Sequence, residues 1–479
     1  MGLFVFTICL INALVCVVGG CLLLRWKSQI RSEWSRAVLE LVTAGLLIKA
    51  IASLTVGLSS PEQVFEYTHY TITQKDLLMG FSIEVIWYTF LLIGFVALYK
   101  PGKRLGRIFG ASIAEDKVIC ALSIYFIGGL VLAFVFPKGL YEGGFREAFI
   151  RSAGEMSHAP FWRTVMIDIP SSVAFGGFII LSLWCCSQGS QTRRFIGAFL
   201  EFLGWVFIGW VGLVLGARGF LVRAFSVYWV YLRVRRRRRA LIIVAILGLT
   251  FIVFGLSLVG ELRTYPIVSK GRLDVDLLKE RGQKLIKEIS LPDLVVTNVR
   301  YALFRVAPID GGVFARWVQE TSSFAGATPI VGGLLAFIPR QFLPDRPAPG
   351  SVSPSSFDTP AWITGRIMGT PHLCRGTTPA TNSFWLAGYP SVVIASFIGG
   401  GFVAFLVGVG QPSLFSGLLV ISFVCLAIGS PFLLLDLPSL LMLFTRYLLP
   451  FGTVLVVWRG IRSGLFAKTI VPRILSKTK

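Results

Sequence analysis

Runs of about 20 apolar residues recur along the whole chain, each long enough to cross a hydrocarbon core as a helix. Eleven such runs predict spans at 3–24, 37–58, 77–98, 118–136, 169–187, 195–216, 218–233, 240–259, 389–410, 413–434 and 439–458. The seventh is short, and the turn Gly216-Ala217-Arg218-Gly219 separates it from the sixth, so the two read either as two helices or as one kinked unit. Between the eighth and ninth runs lies one segment of 129 residues, 260–388, too long to be a mere connection. The chain therefore divides into 1–259 with eight spans, 260–388 as a large loop, and 389–479 with three spans and a basic tail. The predicted fold class is an all-α polytopic membrane protein. The first run has no basic region before it and no small-residue cleavage site, and reads as a retained helix rather than a signal peptide.

Charge orients these runs. Arg235 to Arg239 are five consecutive arginines between two apolar runs, and charge that dense stays on the cytoplasmic side. Alternation from that point puts the N-terminus outside and the C-terminus inside. The inner segments 25–36, 99–117, 187–195, 233–239 and 459–479 then hold 4, 5, 2, 6 and 6 basic residues. The outer loop 59–76 carries Lys75 against Glu62, Glu66 and Asp76, and the outer loop 137–168 is neutral. The 260–388 segment falls outside.

Within that segment, Leu273, Leu277, Leu278, Leu285 and Ile289 line one side of a predicted amphipathic helix, suited to lying on the membrane surface. Pro329 to Leu343 is apolar but shorter than a span and could dip partway into the bilayer. The stretch 344–381 is rich in Pro, Ser, Thr and Gly and reads as irregular structure over a rigid support.

Composition agrees with the pattern. The chain has 479 residues, 54% hydrophobic and only 15% charged, with a mean hydropathy of +0.75. The net charge of +22 follows from the inner-segment bias, so nucleic-acid binding is not implied. The eight cysteines form no CxxC pair and no Cys/His cluster, which supports neither a disulfide framework nor a zinc site.

Four ionisable residues interrupt the spans. Lys49 and Glu84 lie nine and seven residues from the outer ends of spans two and three, roughly 10–14 Å deep. Arg223 and Arg446 lie at about 7–11 Å by the same rise. A charge facing lipid there costs several kcal/mol, so these groups should face one another or a wet cavity. The alternative for Lys49 and Glu84 is an ion pair that only locks two helices. Glu201 lies near the inner face, apart from these, and has no assigned role.

The outer segment holds ten arginines and four lysines. The guanidinium fork suits bidentate contact with phosphate and stays charged in a partly apolar site, which points to a phosphorylated lipid ligand. Arg263, Arg272 and Arg281, on or near the amphipathic stretch, read instead as headgroup contacts. Asp274-Val275-Asp276 has the DxD spacing of metal-binding transferases, but it sits where an amphipathic helix is expected to be polar. Glu62, Glu66 and His69 lack an adjacent acidic pair, and His69, His158 and His372 have no metal-ligand spacing, so no metal is assigned.

In layout the chain resembles the Wzy-type polymerases of O-antigen and exopolysaccharide repeat units, within the O-antigen polymerase and ligase superfamily. Three stretches carry the likeness: the Gly216-Ala217-Arg218-Gly219 turn, the long late outer loop, and its ending. That ending runs from Ile338-Pro339-Arg340 through Pro344-Asp345-Arg346-Pro347 to Gly388 and a Gly-rich span. Arg300 to Gly311 also fits an Arg-x10-Gly pattern of some members. Ligases of the superfamily typically have a His followed by Asn; here Leu373 follows His372, which tilts the likeness towards polymerase.

The resemblance implies a GT-C-like fold in a bacterial cytoplasmic membrane and glycosyl transfer without a cofactor. A growing glycan would leave polyprenyl diphosphate for a lipid-linked repeat unit. Membrane lipids, a chain-length regulator and a flippase would be its partners. Arg218, Arg300 and Arg340 are then candidates to stabilise the diphosphate, with Arg223, Arg346 and Arg366 binding substrate. Glu320, Asp310, Asp345 and His372 are available to accept the proton, with Glu320 preferred. Trp385 and Tyr389 could stack on sugar or belong to an interfacial aromatic belt. Alternatives are an O-antigen ligase, a transporter of lipid-linked oligosaccharide, or an assembly scaffold.

Overall fold

The computed structural model describes residues 2–68, 70–114, 116–135, 166, 169–187, 190–214, 218–250, 268–269, 272–273, 291–338, 342–347, 359–369, 377–427 and 436–448. Apart from a two-residue antiparallel pairing, Val268–Ser269 with Arg272–Leu273, the described elements are helical.

The first helices are α1 (Leu3–Gln29), α2 (Glu33–Leu58), the short α3 (Pro61–Thr68) and α4 (Gln74–Ala97). Polar side chains set their ends: the Ser32 hydroxyl accepts from Ser35 N–H at the start of α2, and Thr73 and Asp76 form a reciprocal capping box on α4. The predicted inner loop after α4 is itself helical over Tyr99–Ser112 (α5), and α3 occupies the first predicted outer loop. Next come α6 (Asp116–Val135), α7 (Ile169–Ser187), α8 (Gln191–Val214), α9 (Arg218–Val234) and α10 (Arg238–Thr250).

The sixth and seventh predicted spans are two antiparallel helices, α8 and α9. Trp205 of α8 meets Phe225 and Tyr228 of α9, each at 5.1 Å between ring centroids, and Glu201 accepts a hydrogen bond from Tyr228. That contact also gives Glu201 a partner.

One end of the bundle is stitched by ions. Glu40 of α2 meets Lys27 at 2.6 Å and Arg233 of α9 at 3.1 Å, and Glu33 meets Arg36 at 3.1 Å. The turn after α9 that carries the arginine run thus shares an end with the α1–α2 turn, as alternation requires.

The late helix Tyr389–Val409 (α16) runs parallel to α4 and α5 and packs against both. Glycines allow the approach: a Cβ on Gly106 would meet Phe405 O at 2.1 Å, and one on Gly400 would meet Leu91 O at 2.2 Å. Pro379–Ala387 (α15) precedes α16, and the joint Gly388 has φ +74°, a conformation that excludes most side chains. Leu414–Ser422 (α17) continues as the π-helical turn Phe423–Ala427, and Leu437–Met442 (α18) as the π-helical turn Leu443–Leu448.

Among the described residues, five helices are long and apolar enough to cross a membrane: Leu3–Gln29, Glu33–Leu58, Gln74–Ala97, Pro170–Ser187 and Tyr389–Val409. Helices also occur at the other predicted spans, but several ends, 251–259, 428–435 and 449–458 among them, lie outside the described residues. The count of eleven therefore rests on the sequence pattern.

Candidate functional site

Residues 291–321, predicted as loop, form a helical hairpin. Leu291–Val306 (α11) and Ile309–Thr321 (α12) are joined at Ala307-Pro308, and Ser322 closes α12 in a left-handed conformation at φ +54°. Proline has no N–H and cannot continue the i to i−4 ladder of α11, so the chain turns there and restarts. Val313, Phe314 and Val318 bury one side of α12.

The hairpin enters and leaves by one end of the bundle. Helix α12 lies antiparallel along the first half of α4, with Gly80 and Gly312 at the closest approach, while Gly311 faces Thr381 of α15. A Cβ on Gly80 would meet Pro308 O at 2.5 Å, and one on Gly311 would meet Thr381 Oγ1 of α15 at 2.4 Å. From the start of α4 to Glu84 the insertion is roughly 15 Å at ~1.5 Å per residue. Backbone that deep is tolerated because the helices satisfy their own polar groups.

A buried polar network receives the tip. Lys49 Nζ lies 2.5 Å from Glu84 Oε1 and donates to the Val306 carbonyl at 2.6 Å. Asn12 Nδ2 donates to Ser53 Oγ at 2.9 Å and Glu84 Oε2 at 3.3 Å. Lys49 and Glu84 are thus a direct ion pair among α1, α2 and α4, and the lysine also anchors the hairpin. Arg223 lies in α9, which packs against the π-helical turn containing Cys425, and Arg446 lies in the second π-helical turn, against Leu335–Phe337.

At the mouth, charges alternate between α4 and α12. The fully buried Asp76 carboxylate accepts from Thr73 N at 2.8 Å and from Arg316 Nε at 2.5 Å. Arg316 also meets Glu320 at 3.3 Å, and Lys75 meets Glu320 at 2.8 Å. The Lys75 hydrogen bond, with the Arg316 charge behind it, holds the Glu320 carboxyl below its usual range. Asp76 and then Glu320 hold Arg316 above its usual value.

The depressed Glu320 carboxyl links the mouth to pH. Its contribution is fully present above the ordinary carboxylate value and is lost as pH falls through the lower, folded one. Protection factors of the amides over 313–321, exchange rates corrected for their intrinsic pH dependence, are expected to fall on acidification below that range, and Glu320→Gln should remove this component.

The sequence candidates fall as follows. Glu320 is half-exposed at the mouth, Arg300 is half-buried on α11, and Asp310 is buried in the first turn of α12. Arg366 is exposed in Pro360–Ile367 (α14), and α14 packs on α12. Tyr389 begins α16, its hydroxyl 3.5 Å from Met79 Sδ and its ring edge-on to Phe384 at 5.2 Å. Helix α12 is therefore the hub on which α4, α14 and α15 converge. Arg346 lies apart in the turn near 342–347, donating to Leu335 O at 3.4 Å, and Asp345 is exposed beside it.

Arg340, His372 and the Asp274-Val275-Asp276 stretch lie outside the described residues, as do His69, His158 and the predicted amphipathic helix beyond Leu273. Arg218 opens α9, but its side chain lies outside the described set. Among the described residues, no group of three His, Cys, Asp or Glu is placed to hold a metal ion.

The apolar stretch predicted to dip, 329–343, is helical at Thr328–Leu334 (α13) and packs on α18, and Thr445 Oγ1 in the π-helical turn after α18 donates to Gly333 O at 2.8 Å. Part of the stretch predicted as irregular is the helix α14. Sequence reasoning missed Arg316, Asp76 and Lys75 as one unit with Glu320. A proline followed by Gly311-Gly312 was the available signal for a tight helical hairpin.

Comparison with known proteins returns no match to a family model, a curated protein or a solved structure. The long apolar helices and the hairpin inserted among them define a multi-pass helical membrane protein.

Proposed function

We propose that this chain is a membrane glycosyltransferase that polymerises lipid-linked oligosaccharide repeat units at the outer face of a bacterial cytoplasmic membrane. One observation supports the reading most: the inserted hairpin carries Arg300, Arg305 and Arg316 on helices packed at the end assigned to the outside. Arg366 and the aromatic Tyr389 lie on neighbouring elements.

In this reaction the acceptor hydroxyl attacks the anomeric carbon of the donor glycan. A new C–O bond forms, the bond to diphosphate breaks, and polyprenyl diphosphate leaves with the electron pair. The leaving group needs charge stabilisation, which fixed guanidinium groups supply. The hydroxyl proton passes to an acceptor in the same segment. Glu320 is the sequence candidate, and its two cationic partners make it a hydrogen-bond acceptor for the hydroxyl more than a strong base.

The test is reconstitution. Purified protein given a synthetic polyprenyl-diphosphate repeat unit should yield an oligosaccharide ladder and free polyprenyl diphosphate. Arg300→Gln is expected to lower kcat about 100-fold, as for loss of one charge-stabilising donor. Arg218→Glu should abolish polymer while the protein still inserts; normal length and yield would remove Arg218 from the mechanism. Turnover only with added lipid A core would identify a ligase, and silence with both substrates would favour a transporter.

A further inference from the structure

A pocket of about 590 Å³ opens at the opposite end of the bundle from the hairpin mouth, between the α1–α2 turn and α5. Three cations line it: Arg31 from the turn, and Lys103 and Arg107 one helical turn apart on α5. Among the described residues that line it there is no carboxylate. The nearby acids Glu33 and Glu40 are committed to Lys27, Arg36 and Arg233.

The wall is aromatic. Trp26 meets Tyr99 edge-on at 4.5 Å, and Lys103 Nζ lies 5.2 Å from the Tyr99 ring centroid and 3.3 Å from its hydroxyl. Gln411, just past α16, accepts from Arg107 Nε, which orients that guanidinium. The pocket therefore combines a rigid wall, two guanidinium groups and an ammonium, the donor set that holds a phosphate.

Its surroundings select the source of that phosphate. Leu105 and Ile108 of α5 are each 61% exposed, and Leu22 of α1, one helical turn before Trp26, is exposed as well. Exposed apolar side chains on the helices that supply a cationic pocket, at the end of membrane-crossing helices, suit a headgroup whose acyl chains lie along the protein.

We infer that this pocket binds the phosphate headgroup of an anionic membrane phospholipid on the side of the membrane that faces the arginine run. The site is independent of the proposed transferase activity and lies at the other end of α2 and α4.

The test measures lipid binding directly. The intact protein is placed in nanodiscs of phosphatidylcholine containing a titrated fraction of phosphatidylglycerol, and protein-bound phosphatidylglycerol is counted by native mass spectrometry. The triple variant Arg31→Gln/Lys103→Gln/Arg107→Gln should weaken binding about tenfold or more. A control that removes the same charge outside the pocket, Arg25→Gln/Lys100→Gln/Arg104→Gln, should change it less than about threefold.

Equal losses in the two triples would reduce the effect to surface charge and overturn the site, as would no loss in either. If the pocket triple does not fold, Arg31→Lys/Arg107→Lys keeps the charge but removes both forks. It should still weaken binding, and unchanged binding would overturn the proposal. Inorganic phosphate titrated in detergent separates the sources: saturable phosphate binding lost in the pocket triple, with lipid binding unaffected, would assign the site to a free anion and overturn the lipid.

Discussion

Replacing Lys49 with methionine is expected to destabilise the folded protein by about 3–5 kcal/mol, the cost of stranding one member of a buried ion pair. Methionine preserves much of the lysine volume, so little of the loss comes from a cavity. What it removes is the cation 2.5 Å from Glu84 and the donor 2.6 Å from the Val306 carbonyl. Glu84 would then be left buried among α1, α2 and α4, with Asn12 its remaining donor among the described residues. The double variant Lys49→Met/Glu84→Met should recover most of the stability, because exchanging a whole buried pair for apolar groups is often neutral.

The two effects of Lys49 separate by amide exchange. Neither variant has the bond to Val306, so the hairpin tip around 306–310 should exchange faster in both, while global stability falls only in the single variant. Denaturation in mixed micelles gives the first quantity and exchange mass spectrometry the second. A single variant as stable as the native protein would show that the pair carries no net weight in the fold.

The second large effect is expected at Gly312. A Cβ there would lie 2.1 Å from the Asp76 carbonyl oxygen and 2.9 Å from its carbon. Both are backbone atoms of α4, so no rotamer change relieves the overlap and the two helices must separate. Overpacking of this kind costs about 1–3 kcal/mol, and here the same shift would stretch the Arg316–Asp76 pair. Gly312→Ala should therefore lower the melting temperature and weaken any activity that depends on the hairpin. Gly128→Ala in α6 is the control: no atom of the described residues lies within 4 Å of the added carbon, and alanine suits a helix better by up to about 1 kcal/mol. Equal melting temperatures for Gly312→Ala and the native protein would mean that α12 does not pack on α4 at this distance.

The chemistry at the hairpin mouth could not be read from residue types alone. Glu320 stands out in the sequence as a carboxylate in an arginine-bearing segment, and that description suits a base. The fold pairs it with Lys75, 245 positions earlier, and with Arg316 one turn before it, which lowers its proton affinity. Asp76 reads locally as the acidic member of a capping box, which it is, yet its other oxygen receives Arg316.

Features that depend on solvent and on neighbours a few residues away are legible in the order of the residues. The long apolar runs of α1, α2, α4, α7 and α16 follow from the cost of leaving backbone polar groups unpaired in hydrocarbon. The Ser32 and Thr73 caps are local hydrogen bonds. Lys49 and Glu84 were legible as a pair because two opposite charges at similar depth have few other partners there. That 291–321 folds back into the bundle follows instead from long-range packing. The helices of that segment carry too many polar residues to register as spans, and their insertion depends on three glycines in α4 and α12 together with a lysine on α2. Tertiary structure also decided that Arg31, Lys103 and Arg107 share one pocket, since only the packing of α5 against α16 turns an apparent cytoplasmic loop into a wall. Hydropathy reports what each residue prefers as a solvent; which distant residues meet is set by the shapes that close-packed helices allow.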